Sequence, residues 1–198
     1  MNRAVDWEAC YASAETPWDK GSAAPGLTDF LRAQPGHRRG RVLVPGCGLG
    51  HDAKEWARHG FHVTGLDLSP TAVQLARRSS AEGEILFQAG DFLRDPFPQS
   101  FDWMFEHTLF CAIQPELRGA YVESAARAVR PGGHLLAIHY LNPKDPAGPP
   151  FGVAREEVVE RFAKSFILLA EWVPRSVPGR ENRERLFWWK RPGKPSRK

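Results

Sequence analysis

From residue 41 onward, short apolar runs alternate with stretches whose apolar residues recur at helical spacing. Strands are predicted over residues 41–44, 61–66, 85–88, 101–106 and 134–140, with helices over 52–59, 70–79 and 115–129 between them. Ser69 ahead of Pro70 is an N-cap followed by a residue suited to the first helical turn, which marks where the second helix begins. Pro131-Gly132-Gly133 ends the third. A helix at 154–163 and two apolar runs at 166–173 and 185–190 close the chain, the last two read as a hairpin turning at Pro178-Gly179. Residues 1–40 contain no clear strand and read as an N-terminal cap with one short helix near 27–33. The expected architecture is α/β: a doubly wound, mostly parallel seven-stranded sheet with a C-terminal antiparallel strand pair and an N-terminal cap.

One stretch carries most of the chemistry. The first apolar run enters Gly46-Cys47-Gly48-Leu49-Gly50, a helical segment follows, and the next apolar run ends on Asp67. A glycine-rich turn between strand and helix lets backbone approach a ligand, and an acid about 20 residues later is placed for ribose hydroxyls. The spacing is GxGxG rather than the GxGxxG of a dinucleotide site, and Asp52 stands at the helix start, where a pyrophosphate would be repelled. A second acid, Asp91, lies just past the third strand in Gln88-Ala89-Gly90-Asp91-Phe92. Adenosine bearing a cationic sulfonium tolerates these acids: Asp67 for the ribose, Asp91 and Phe92 for the adenine. The pattern points to S-adenosylmethionine.

Composition narrows the rest. With 198 residues, 42% hydrophobic and 25% charged, the chain suits a single domain: a cap or lid over 1–40, a core over 41–191 and a disordered basic tail over 192–198. The net charge of +4 rests largely on loops and that tail, so no nucleic-acid partner is expected. No run is long enough to span a membrane, and the N-terminus does not read as a signal peptide, so no membrane partner and a cytoplasmic location are expected. Cys10, Cys47 and Cys111 are too scattered for a disulfide framework or a metal site, and no metal is expected.

The order VLVPGCGLG, GLDLSPTAV, GDF, FDWMFEHTLFCAI and RPGG resembles a Rossmann-like class I S-adenosylmethionine-dependent methyltransferase. Within that class the VPGCG form, the N-terminal run WEACYASAETPWDKG and the segment FEHTLFCAI are similar to the thiopurine S-methyltransferase family, which includes thiol and halide methyltransferases. The resemblance covers residues 7 to 191. Val44 stands where most class I enzymes carry an acid. The resemblance implies that Trp7 and Trp18, with Tyr11 in place of a further tryptophan, cover the cofactor. It places Gly46 and Gly48 at the methionine end, Asp67 on the ribose, and Asp91 and Phe92 on the adenine. His107 falls where the plant enzymes have tyrosine and the mammalian ones arginine. The implied reaction moves a methyl group from S-adenosylmethionine to a small soft acceptor and leaves S-adenosylhomocysteine. The acceptor is a thiol first, with halides, selenium or tellurium species and thiopurines as alternatives. The resemblance also implies a monomer.

A thiol with pKa near ~8.5 is mostly protonated at neutral pH. His107 is therefore expected to act as the base or polariser of the incoming thiol, with Glu106 orienting it or merely ending the strand. Asp52 reads as a first-turn acid, Arg118 as a solvated helix residue, His139 as structural, and Trp103, Trp188 and Trp189 as core.

Overall fold

The computed structural model describes residues 5–34, 40–80, 85–96, 101–141 and 148–193. The tail beyond 193 and residues 142–147 of the loop after the fifth strand lie outside the described residues.

Seven strands form one sheet in the order β3-β2-β1-β4-β5-β7-β6. They are β1 (Arg41–Pro45), β2 (His62–Asp67), β3 (Ile85–Ala89), β4 (Phe101–His107), β5 (Val129–Tyr140), β6 (Ile167–Trp172) and β7 (Glu184–Lys190). The first five are parallel; β7 pairs antiparallel with both β5 and β6. The sequence places β3 and β2 to one side of β1 and β4 to the other. The strand order therefore reverses at β1/β4, the position where open α/β sheets bind ligands at their carboxyl edge.

The helices are α1 (Trp7–Ala12), α2 (Pro25–Ala33), α3 (His51–Arg58), α4 (Pro70–Arg78), α5 (Arg118–Ala128) and α6 (Arg155–Phe162), with a 3-10 turn at Pro115–Leu117. Ser69 caps α4 as expected, its Oγ accepting the Ala72 N–H at 3.0 Å. Two boundaries differ from the pattern-based reading. The chain turns extended at Val129, so β5 starts ahead of Pro131-Gly132-Gly133: Val129 pairs with Phe101 before a bulge restores the register at His134. The cap holds two helices, not one; α1 is six residues long and too short to show apolar periodicity.

Each sheet face has its own core. On one side Leu27, Phe30, Trp56, Val73 and Ala76 of α2, α3 and α4 pack on Val42, Val44, Trp103 and Phe105. On the other, Tyr121, Val122, Ala125, Val158 and Phe162 of α5 and α6 pack on Leu43, Met104, Leu135 and Ala137. Trp103 and Phe105 thus face the first core and Met104 the second, so alternation sends His107 and Glu106 to opposite faces. Trp103, Trp188 and Trp189 pack in these cores. Arg118 departs from its reading as a solvated residue: it is 2% exposed, lies over the Phe110 ring at 5.1 Å and pairs with Glu157 at 3.0 Å.

Trp56 is fully buried against Phe61, Trp103 and Phe105. Trp56→Ala is expected to cost about 3–5 kcal/mol, and Trp56→Phe much less, because the indole N–H makes no hydrogen bond that Phe would lose. Urea midpoints of the two variants check this.

Candidate functional site

The carboxyl ends of β1, β2 and β4 lie together at one edge of the sheet. Past β1 the turn holds Gly46 and Gly48 at φ +62° and +51°, a region costly for any residue with a Cβ. A Cβ on Gly46 would sit 2.9 Å from Leu109 Cδ1, and one on Gly48 2.7 Å from the Tyr11 hydroxyl. The backbone here is flanked so closely that only glycine leaves room.

Asp67, at the end of β2, is 7% exposed. Its Oδ2 accepts the Gly48 N–H at 2.8 Å and its Oδ1 the Ser69 N–H at 2.9 Å. Burial raises its pKa, and the backbone donors Ser69, Gly48 and Leu68 oppose that rise. Each oxygen keeps a further lone pair, so the carboxylate can clamp the turn and still accept from a diol. Cys47, inside the turn, has its thiol pushed well up by burial and by Asp67, in keeping with a packing role.

The three N-terminal aromatics named from the sequence come together. Trp7 and Trp18 meet edge to face at 5.2 Å, Tyr11 and Trp18 at 5.9 Å, and Trp18 Nε1 donates to the Tyr11 hydroxyl at 3.2 Å. Tyr11 lies against Gly48, and burial, with Asp67 nearby, raises its pKa. A residue missed in the sequence latches this segment. Glu8 takes the Ser69 hydroxyl, the Thr71 hydroxyl at 2.6 Å and the Thr71 N–H at 3.1 Å, which anchors α1 on the amino end of α4. These three hydrogen bonds lower the Glu8 pKa, and a carboxylate there suits the helix dipole.

On the adenine side, Asp91 is partly exposed, with Oδ1 accepting the Leu93 N–H at 2.9 Å. Phe92 is 6% exposed and packed into the core, its ring 5.2 Å from Tyr121. The exposed apolar surface beside Asp67 belongs instead to Leu68, 55% exposed.

His107 sits among charged partners. Its Nδ1 stands 3.4 Å from Asp52 Oδ2 and its Nε2 3.2 Å from Glu184 Oε1, with the side chain 14% exposed. Burial pulls its pKa down, but the bonds to Asp52 and Glu184 outweigh that and raise it to about 9. The two carboxylates favour the charged ring, and Arg180 Nη1 approaches the same Nε2 at 3.5 Å. Arg180 completes the cluster: Nη1 donates to Glu184 at 3.3 Å and Nη2 to the Trp18 carbonyl at 3.1 Å, tying the aromatic segment to His107. Asp52 also accepts the Ala24 N–H at 2.7 Å. Asp52, Arg180 and Glu184 are widely separated in sequence from His107 and from one another except for the last pair, and no local signal marks them. Glu106 lies on the opposite sheet face and does not orient His107.

Among the described residues, no group of His, Cys, Asp or Glu is arranged to hold a metal, and no helix is long and apolar enough to cross a membrane.

Comparison with known proteins gives the family and the fold. The profile of the thiopurine S-methyltransferase family matches residues 2–185. The chain is 35% identical to thiocyanate methyltransferase 1 of Brassica oleracea over 192 residues, covering 93% of this chain and 84% of that protein. Among solved structures, one from work on the conversion of a disulfide bond into a thioacetal group during echinomycin biosynthesis superposes with a TM-score of 0.77 at 25% identity, covering 96% of this chain and 92% of the other. The N-methyltransferase NodS of Bradyrhizobium japonicum, solved with S-adenosyl-L-homocysteine, shares the fold at a TM-score of 0.74 and 18% identity, covering 92% and 98%.

Proposed function

The chain belongs to the thiopurine S-methyltransferase family, and from that premise we propose that it methylates a small soft nucleophile, a thiol first, using S-adenosylmethionine. The observation that carries this reading is the meeting of Trp7, Tyr11 and Trp18, with Tyr11 against Gly48 and Asp67 accepting the Gly48 N–H.

When bound, S-adenosylmethionine supplies a methyl group already activated on a sulfonium sulfur. That methyl would be available to an acceptor sulfur, with S-adenosylhomocysteine as the leaving group that keeps the electron pair of the broken bond. The chain's work is alignment and exclusion of water. The aromatic trio would face the cation, each good contact worth roughly 0.5–2 kcal/mol. Asp67 would accept the ribose hydroxyls, and Asp91 with Leu68 would border the adenine. His107 would bring fixed charge and shape to the acceptor end, and a thiol proton would leave to water. We place the protein in the cytoplasm as a monomer acting on a small molecule, the monomeric state being what the family resemblance implies; among the described residues no helix is long and apolar enough to cross a membrane.

The test is calorimetry with S-adenosylhomocysteine followed by product detection with sulfide, methanethiol, halides, phenols and amines. Binding and methylated sulfur products are expected. Methylation of phenols or amines alone would move the assignment to oxygen or nitrogen acceptors. Binding with no turnover across the panel would make the chain a non-catalytic binding protein.

A further inference from the structure

Behind the site, on the α5/α6 face of the sheet, lies a buried acid that the mechanism above does not use. Glu106 is fully buried at the end of β4. Its Oε2 accepts the Phe110 N–H at 2.8 Å and the Tyr121 hydroxyl at 3.5 Å. Its Oε1 stands 3.2 Å from Nδ1 of His139 on the neighbouring strand, also buried. The His139 ring is enclosed by Phe110, Phe162 and Phe187, with centroids 5.1, 5.5 and 5.5 Å away. Neither Glu106 Oε1 nor His139 Nδ1 has a hydrogen-bond partner among the described residues, so their 3.2 Å approach is the polar contact that faces both buried atoms.

What Glu106 holds is a turn under strain. Thr108 sits at φ +62°, a conformation β-branched residues rarely adopt unless surrounding bonds impose it. Among the described residues the turn is held by Thr108 N–H to the Ile138 carbonyl at 3.3 Å, Cys111 Sγ–H to the Thr108 carbonyl at 3.1 Å, Ala112 N–H to the Leu109 carbonyl at 2.9 Å, Phe151 N–H to the Cys111 carbonyl at 2.7 Å, and the Phe110 N–H to Glu106, the one side-chain carboxylate in this set. The turn begins at His107 and carries Leu109 directly onto Gly46.

We infer that the Glu106–His139 pair positions the reacting end of the site, fixing through the Phe110 N–H the strained turn that presents His107 and seats Leu109 against the glycine floor. Neither residue touches substrate or cofactor; both act through the turn. The inference rests on the methyltransferase reading for its kinetic consequence, but not for its structural one.

The test compares full-length wild type with Glu106→Gln, Glu106→Ala and His139→Phe. Glutamine keeps an oxygen for the Phe110 N–H; alanine does not. For methanethiol, Glu106→Ala is expected to lower kcat about tenfold or more with KM changed far less, since small displacements of reacting groups cost rate steeply. Glu106→Gln should recover most of that loss, and His139→Phe should fall between. A purely structural role would instead lower the melting temperature of all three while leaving kcat of the folded protein within about threefold of wild type, and that result overturns the inference. Should Glu106→Ala fail to fold, Glu106→Gln and His139→Phe carry the kinetic test: unchanged kcat in both overturns it. Hydrogen exchange over residues 107–112 reads the same question without turnover. Slow exchange in wild type and Glu106→Gln, with faster exchange in His139→Phe and in Glu106→Ala where it folds, supports the inference; equal exchange in all of them overturns it. A wild type that binds S-adenosylhomocysteine but methylates nothing would sink the proposed function and leave the exchange experiment to decide this one.

Discussion

Asp67→Ala is expected to weaken S-adenosylhomocysteine binding by roughly tenfold to a hundredfold, the loss of one or more hydrogen bonds to a charged acceptor at about 1.5–3 kcal/mol each. The geometry makes this a double injury. The side chain is the proposed ribose acceptor, and it also holds the Gly48 and Ser69 N–H groups that shape the floor and the start of α4. Asparagine is not a conservative replacement, because both oxygens of Asp67 already face N–H donors and an amide nitrogen would oppose one of them. Asp67→Asn should therefore lose affinity nearly as Asp67→Ala does. Calorimetry on both variants, with circular dichroism to confirm folding, decides it. Wild-type affinity in Asp67→Ala would remove Asp67 from the site.

The second large effect is at His107. Its pKa rises from an ordinary value near ~6.5 to about 9 in the folded protein, because Asp52 and Glu184 bind the charged ring more strongly than burial penalises it. For a group whose folded pKa is raised, the stabilisation is complete below the unfolded pKa and disappears as pH climbs through the folded one. His107 should thus contribute on the order of 2–3 kcal/mol at pH 7, declining across pH 7–9 and absent beyond. His107→Gln should be less stable than wild type by about that amount at pH 7, and the two should converge near pH 10 in urea titrations. The kinetic counterpart is a rate profile without a limb near ~6.5, where a histidine base would titrate. If wild type shows such a limb and His107→Gln abolishes it, His107 is a base after all. His107→Arg, which keeps the cation, should retain more thiol turnover than His107→Gln.

Much of the fold was legible along the chain. Each of β1 to β4 and each of α3 and α4 is announced by an apolar run or a cap within its own length, and the Gly46–Asp67 unit is a local motif of strand, turn, helix and strand. The aromatic trio could be named from the family resemblance, although α1, which carries Trp7 and Tyr11, was too short to recognise as a helix. Phe92 shows the reverse: its position beside Asp91 is local, but the contact of its ring with Tyr121 is one that no local pattern reveals.

His107 marks the boundary most clearly. Its position at a strand end near the reacting centre was readable, yet its protonation state was not. That depends on Asp52, reached through the packing of α3 beside β4, and on Glu184, 77 residues further along the chain. Glu8 likewise meets Ser69 and Thr71 across 61 and 63 residues. Periodicity, caps and the glycine turn arise from interactions within a few residues, and the sequence alone determines them. The charged partners of His107 and the anchoring of α1 on α4 depend on which distant side chains the fold brings within reach, and only the tertiary structure decides that.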